Sequence, residues 1–158
     1  MDATFHLNNA VFNVRAAGVM IETGHVLIHK QVSDNHWALP GGRVEILENS
    51  QSCIIREMKE ELGFDVKINR LLWVTENFFE YNSKHFHELG FYYSISSATA
   101  SSHFTTETFH GEEGNRLIYR WVPITELKQL PLFPEFLRTS LKQLPLTPKH
   151  LIFRQDSL

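Results

Sequence analysis

Residues Gly42 to Phe64, GRVEILENSQSCIIREMKEELGF, predict one helix with two marked ends, an apolar side and an acidic side. Asn49 or Ser50 can cap its start, because a side-chain oxygen there accepts an orphan N–H of the first turn. Gly63 supplies the left-handed residue that commonly stops a helix. Ile54, Ile55, Met58 and Leu62 gather on one side, and Cys53 belongs with them as a packing residue. Glu57, Glu60 and Glu61 stand at i, i+3 and i+4, so one face carries three carboxylates. They occupy the last two turns, where the helix dipole favours cations. Like-charge neighbours and the dipole together cost on the order of 1–2 kcal/mol, of which Arg56 and Lys59 offset a part. A bound divalent cation would turn that cost into a site.

Around this helix the pattern is mostly strand. Phe12 to Ile21 and His25 to Lys30 read as a hairpin about Glu22-Thr23-Gly24. Trp37-Ala38-Leu39 is stopped by Pro40-Gly41-Gly42, a loop signal. Val66 to Tyr81 and Lys84 to Ser97 form a second, long hairpin around Asn82-Ser83. Ala98 to Gly114 is polar and reads as a loop without structure of its own. Leu117 to Val122 returns as a strand, and Pro123 and Thr125 open a helical turn through Leu130. Glu135 to Leu144 has helical character, and His150 to Arg154 forms a last strand. One domain over residues 1–158 is expected, of α+β class, with helices packed on a mixed sheet. The net charge of −3, with no run of Lys and Arg, argues against a polynucleotide partner. Cys53 stands alone, so no disulfide framework exists. No basic-then-apolar leader and no membrane-length apolar run is present, which predicts a cytoplasmic protein.

Gly42, Glu48, Arg56-Glu57-Met58, Glu60-Glu61 and Gly63-Phe64 fill every defined position of G-x5-E-x7-R-E-U-x-E-E-x-G-U, where U is bulky and apolar. On these residues the chain resembles the Nudix hydrolases; LPGG before the box and WVPITEL after the last long strand resemble family features too. The resemblance implies an α/β/α sandwich with a mixed β-sheet between helices. It implies a hydrolase whose Glu57, Glu60 and Glu61 are the main metal and catalytic carboxylates. Glu48 would support the site and Arg56 would orient a glutamate. Carboxylates are hard ligands suited to Mg²⁺, with Mn²⁺ as a substitute, and a carbonyl of the Gly41-Gly42 loop, Gly42 above all, is a further ligand. Family members differ in their general base; here Glu112 or Glu113 could swing in from the loop, with Glu88 a lesser candidate.

The expected partner is a small nucleotide cleaved at its pyrophosphate. Arg15 and Arg43 are candidate phosphate contacts or surface ion pairs. Phe78, Phe79 and Tyr81 could stack on a base, or pack. His85 and His87 share one side of a strand, where His87 could meet a phosphate. Subclass marks do not choose the substrate: the proline of many ADP-ribose hydrolases is replaced by Phe79-Glu80, the SQPWPFPxS-like mark of NADH-type members is missing, and Tyr81 matches a tyrosine of some dinucleoside polyphosphate hydrolases. The leading expectation is cleavage of a nucleoside diphosphate linked to another moiety. The alternatives are a house-cleaning nucleoside triphosphate pyrophosphatase of the mutator type and a non-catalytic nucleotide-binding regulator. RNA end processing is disfavoured by the acidic balance, and the aromatic hairpin could serve a homodimer.

Overall fold

The computed structural model describes residues 1–154, and in it eight strands form one mixed sheet. The elements run β1 (Thr4–Leu7), β2 (Ala10–Glu22), β3 (His25–Gln31), β4 (Gly41–Arg43), α1 (Ser50–Leu62), β5 (Val66–Tyr81), β6 (Lys84–Ser97) and β7 (Leu117–Pro123). A 3₁₀ turn (Ile124–Gln129), α2 (Leu137–Ser140) and β8 (Lys149–Arg154) follow. The main path across the sheet is β7-β3-β2-β6-β5-β8. Two pairs, β2 with β6 and β5 with β8, are parallel, and the others are antiparallel. One long edge of β2 is shared in turn by β1, β4 and β3. That sharing delivers Gly41-Gly42 to the middle of the sheet, just ahead of α1.

Alternation along β2 sends side chains to two cores. Ala17 and Val19 join Trp73, Leu127, Leu132 and Leu137 under the 3₁₀ turn and α2. Ala16 and Met20 join Cys53, Ile54, Met58 and Tyr93 under α1. The result is an α+β fold with helices on both faces of a mixed sheet, as the pattern predicts. The β5–β6 hairpin turns at Asn82 and Ser83, whose φ of 51° and 63° supply the left-handed pair a tight two-residue turn needs. Among the described residues no helix is long and apolar enough to cross a membrane.

Four expectations change. Gly41 and Gly42 lie in a strand rather than a loop, since Gly41 pairs Ala17 and Gly42 pairs Ala16, where small residues on both sides allow close approach. β1 is an added strand; its Phe5 and Leu7 stay exposed, so no buried periodicity announces it. The helix expected over Glu135 to Leu144 is one turn, Leu137–Ser140. Thr139 and Ser140 compete with the backbone for hydrogen bonds, and Thr139 Oγ1 donates to the Phe136 carbonyl at 3.4 Å. Ile55, about 100° round the helix from Ile54, is 44% exposed at the rim of the apolar side.

Candidate active site

Local sequence sets the frame of α1. Asn49 Oδ1 accepts the Ser52 N–H at 2.8 Å, and Gly63, at φ 72°, donates its N–H to the Lys59 carbonyl. Cys53, Ile54, Met58 and Leu62 are buried against the sheet. The Cys53 thiol, pushed up to about 12 by burial and then by the nearby Glu48 carboxylate, stays protonated and packs.

Arg56 is the hub of the acidic side. Its Nε and Nη2 grip Glu48 through both oxygens, at 2.8 and 2.9 Å. Its Nη1 donates to Glu57 Oε1 at 2.9 Å and to Glu60 Oε2 at 3.3 Å. These bonds hold the Glu48 carboxyl below its usual range and keep the guanidinium charged. Glu48 therefore faces Arg56, while Glu57 is steered toward Gly42. A Cβ on Gly42 would lie 2.5 Å from the Glu57 carboxyl carbon, so only glycine admits this approach.

Glu61 is buried at the end of the same face. Its Oε2 accepts the Tyr119 hydroxyl at 3.0 Å, and its carbonyl accepts the Glu112 N–H at 2.7 Å. Burial, and then the adjacent Glu57 charge, push its carboxyl up to about 8. The Tyr119 hydroxyl is raised too, by burial and by Glu61. Two crowded carboxylates, one of them holding its proton near neutrality, are a poor structural pair and a good cation pair. Glu57, Glu61 and the Gly42 carbonyl offer the hard oxygens a divalent ion takes. Glu60 does not join them. It lies about 100° from Glu61 around the helix, half exposed, and bonds Arg56. Among the described residues no three acidic, His or Cys side chains are gathered closely enough to hold an ion by themselves.

Glu57 and Glu61 open on a cavity of about 730 Å³. Its floor is sheet, and register orders it. Arg15 stands beside Gly90, Asn13 beside Glu88 and Asn77, and then Phe86 beside Phe79. From the Gly90 row to the Phe86 row is four residues, about 13 Å. The near end carries Gly42, Arg43, Arg116 and the carboxylates; the far end carries His36, Phe79, Tyr81, Phe86 and Phe133. There Phe79 and Phe86 stack at 5.0 Å, and His36 sits edge-on to Tyr81 and Phe133 at 6.2 and 5.8 Å.

Of the residues singled out in the sequence, Arg15, Arg43 and Tyr81 line this cavity. His87 does not. Phe86 and Glu88 face the cavity, so strand alternation turns His87, and His85 with it, to the opposite face. His87 there packs on Phe12 and Phe78 at 5.0 and 4.4 Å. Glu112 also stands aside, its carboxylate against Gly63, while Glu113 lines a small recess behind Glu61 and Tyr119. Loop 98–114, expected to lack structure, is pinned by the Phe64–His103 stack at 3.8 Å and by the Phe109–Tyr119 bridge. Glu88 lines the main cavity; burial raises its carboxyl, against the pull of Arg15, Arg43 and the Asn13 hydrogen bond. Of the three carboxylates outside the box singled out in the sequence, it is the one that lines this cavity.

Cavity and support residues that escaped the sequence reading include Asn13, His29, Arg116 and Tyr119. Asn13 and His29 are polar residues at inward positions of buried strands, which is a readable signal. His29 is buried and held neutral, its ring lowered to about 3 by burial and then by Arg15 and Arg116. Tyr119 and Arg116 gave no local sign, since their roles depend on contacts far along the chain.

Comparison with known proteins agrees with this geometry. A NUDIX domain family model matches residues 12–144. A Bacillus subtilis (strain 168) protein named "Putative ADP-ribose pyrophosphatase YjhB" is 30% identical over 131 residues, covering 77% of this chain and 60% of that protein. An Actinobacillus pleuropneumoniae "RNA pyrophosphohydrolase" is 35% identical over 66 residues, 40% of this chain and 32% of its own length. The chain thus spans less than two thirds of these relatives. Among solved structures, a MutT NUDIX hydrolase from Burkholderia pseudomallei aligns with a TM-score of 0.62 at 26% identity, covering 84% of this chain and 97% of that one. An ADP-ribose pyrophosphatase from Streptococcus suis aligns at 0.57 and 13% identity, over 88% and 98%, a likeness of fold.

Proposed function

This chain belongs to the NUDIX family, and from that premise we propose that it hydrolyses the pyrophosphate bond of a nucleoside diphosphate linked to a second moiety. The observation that carries the reading is the two-ended cavity, with paired carboxylates and arginines at one end and aromatic rings about 13 Å away. A bare polyphosphate has no use for the aromatic end, whereas a nucleoside does. Mg²⁺, or Mn²⁺ in its place, held by Glu57, Glu61 and the Gly42 carbonyl, would supply positive charge against the diphosphate and lower the pKa of water.

The chain's own groups divide the remaining work. Arg15, Arg43 and Arg116 line the near end and meet phosphate oxygens. Arg56 stays off the substrate and positions Glu57. Glu61, whose proton a bound ion would displace, would then stand as a free carboxylate able to take a proton from the attacking water, and the Tyr119 hydroxyl keeps that carboxylate aimed. Water attacks one phosphorus, the bridging P–O bond breaks, and a nucleoside monophosphate leaves with the phosphorylated second moiety.

A second reading, pyrophosphohydrolysis of free nucleoside triphosphates, is favoured by the likeness to the MutT NUDIX hydrolase structure. A product screen with Mg²⁺ and Mn²⁺ over ADP-ribose, nucleotide sugars, dinucleoside polyphosphates and triphosphates separates the two. Diphosphate-linked substrates giving a nucleoside monophosphate support the first; pyrophosphate released from triphosphates alone supports the second. Glu61→Gln is expected to lose at least about 100-fold in kcat while keeping its melting temperature. Unchanged turnover in that variant, or none from any compound by the native chain, would overturn the assignment.

A further inference from the structure

Between its charged end and its aromatic end the cavity floor carries a third kind of surface. Asn13, Glu88 and Asn77 are register partners across β2, β6 and β5, and all three line the cavity. Their row lies two residues from the Gly90 row and two from the Phe86 row, about 7 Å each way. Asn13 and Asn77 are only 3% and 4% exposed. Asn13 donates its side-chain N–H to the Glu88 carboxyl, while its buried Oδ1 has no partner among the described residues. A buried orphan of this kind is uncommon in a folded protein and calls for a cause. The Glu88 carboxyl, in either protonation state, has acceptor capacity that one amide does not fill. The nearby cations face other groups as well: Arg15 donates to the Leu39 carbonyl at 3.3 Å, and Arg43 lies 3.9 Å from Asp2. The row therefore presents acceptors to whatever crosses the middle of the cavity.

We propose that this row binds the ribose of the substrate nucleoside, with Glu88 and Asn13 Oδ1 accepting from its two hydroxyls, so that the site selects ribonucleotides over 2′-deoxyribonucleotides. The inference rests on the nucleotide reading above and makes Glu88 a specificity residue. In a nucleotide the sugar stands between phosphate and base, and the row stands between the arginines and the rings in the same order. Two adjacent hydroxyls match the two oxygens of one carboxyl, and a carboxylate receives the ribose 2′-hydroxyl in dinucleotide-binding folds too. Other occupants fit less well. A phosphate here would be pushed away by a Glu88 carboxylate. A cation would find one carboxyl among amides, and among the described residues no three acidic, His or Cys side chains gather to hold it. An apolar group would leave buried acceptors unpaired, which is costly. Holding the sugar at this row keeps the diphosphate over Glu57 and Glu61 and the base among the rings.

Calorimetric titration with AMP, GMP, CMP and UMP, each against its 2′-deoxy counterpart, tests this without turnover. A monophosphate carries no second sugar, so any preference reports on the nucleoside ribose alone. For the base that binds best, the ribonucleotide is expected to bind at least about tenfold tighter. In Glu88→Gln and Glu88→Met, both close to the native side chain in volume, that ratio is expected to fall to within about threefold. Loss of the Glu88 charge alters the field on both phosphates alike and cancels in the ratio. Melting temperatures show which variants are folded, and the wild-type comparison needs neither. Equal affinity for the two sugars in the wild-type chain overturns the proposal and leaves pyrophosphate hydrolysis to stand on its own product screen. A ribose preference with no cleavage of any diphosphate-linked compound keeps the sugar row and overturns that reading instead. A folded Glu88 variant with its ratio undiminished, and kcat reduced equally on ribo and deoxy substrates, would give Glu88 to proton transfer and overturn the proposal. Absence of binding by every monophosphate overturns it as well.

Discussion

Arg56 binds three carboxylates with one planar group, and a lysine cannot reproduce that fork. Arg56→Lys is expected to leave Glu48, largely buried, with one weaker cationic partner beside the Glu45 N–H and to cost about 2–3 kcal/mol in thermal or urea unfolding. It should also release Glu57 and lower kcat at least about tenfold, which steady-state kinetics would show. At Glu61 the sign of the proton linkage can be worked out. Its folded carboxyl is raised from 4.5 to about 8, so the folded state keeps a proton that the unfolded chain has given up. This contribution to stability is whole below the unfolded pKa and is lost as pH rises through about 8. A divalent ion must displace the same proton, so its affinity is expected to rise about tenfold per pH unit and level off near pH 8. Melting temperatures with and without Mn²⁺ across that range would show a widening gap, absent in Glu61→Gln.

Among the elements, β4 is the smallest and has the most exacting place. Its pairing with Ala16 and Ala17 brings Gly42 under the Glu57 carboxylate, and α1 starts seven residues later with its cap already aligned. Gly42→Ala should be tolerated by the backbone, since Gly42 is not among the residues at positive φ. The added methyl must instead push the end of Glu57 aside. The expected cost is about 1–3 kcal/mol in stability and about 100-fold in kcat, measured by thermal denaturation and turnover in parallel. Equal loss in both would mean that β4 serves the fold alone. By contrast, α2 shows how little regular helix the second face needs. One turn suffices because Leu137 and Leu141 are buried beneath it.

At the scale of the whole molecule the cavity separates two tasks by strand register, and a substitution at one end should spare the other. Phe79→Ala removes a ring from the aromatic end and is expected to raise KM about tenfold while kcat stays within about threefold. A fall in kcat alone would place the ring near the reacting phosphorus. Local chemistry wrote much of this plan into the chain. The cap at Asn49, the stop at Gly63, the turn at Asn82-Ser83 and the box spacing from Gly42 to Phe64 all depend on neighbours a few residues away, which a sequence displays directly. Other outcomes required contacts between distant segments. Gly41-Gly42 became a strand because β2 has an edge to offer, and the meeting of the strands gave the cavity Glu88 instead of His87. Tyr119, 58 residues from Glu61, supplies the hydroxyl that accompanies that carboxylate into the interior. Burial and register arise only when remote strands meet, so the chain by itself named the acids, and the folded sheet chose which of them face the cavity.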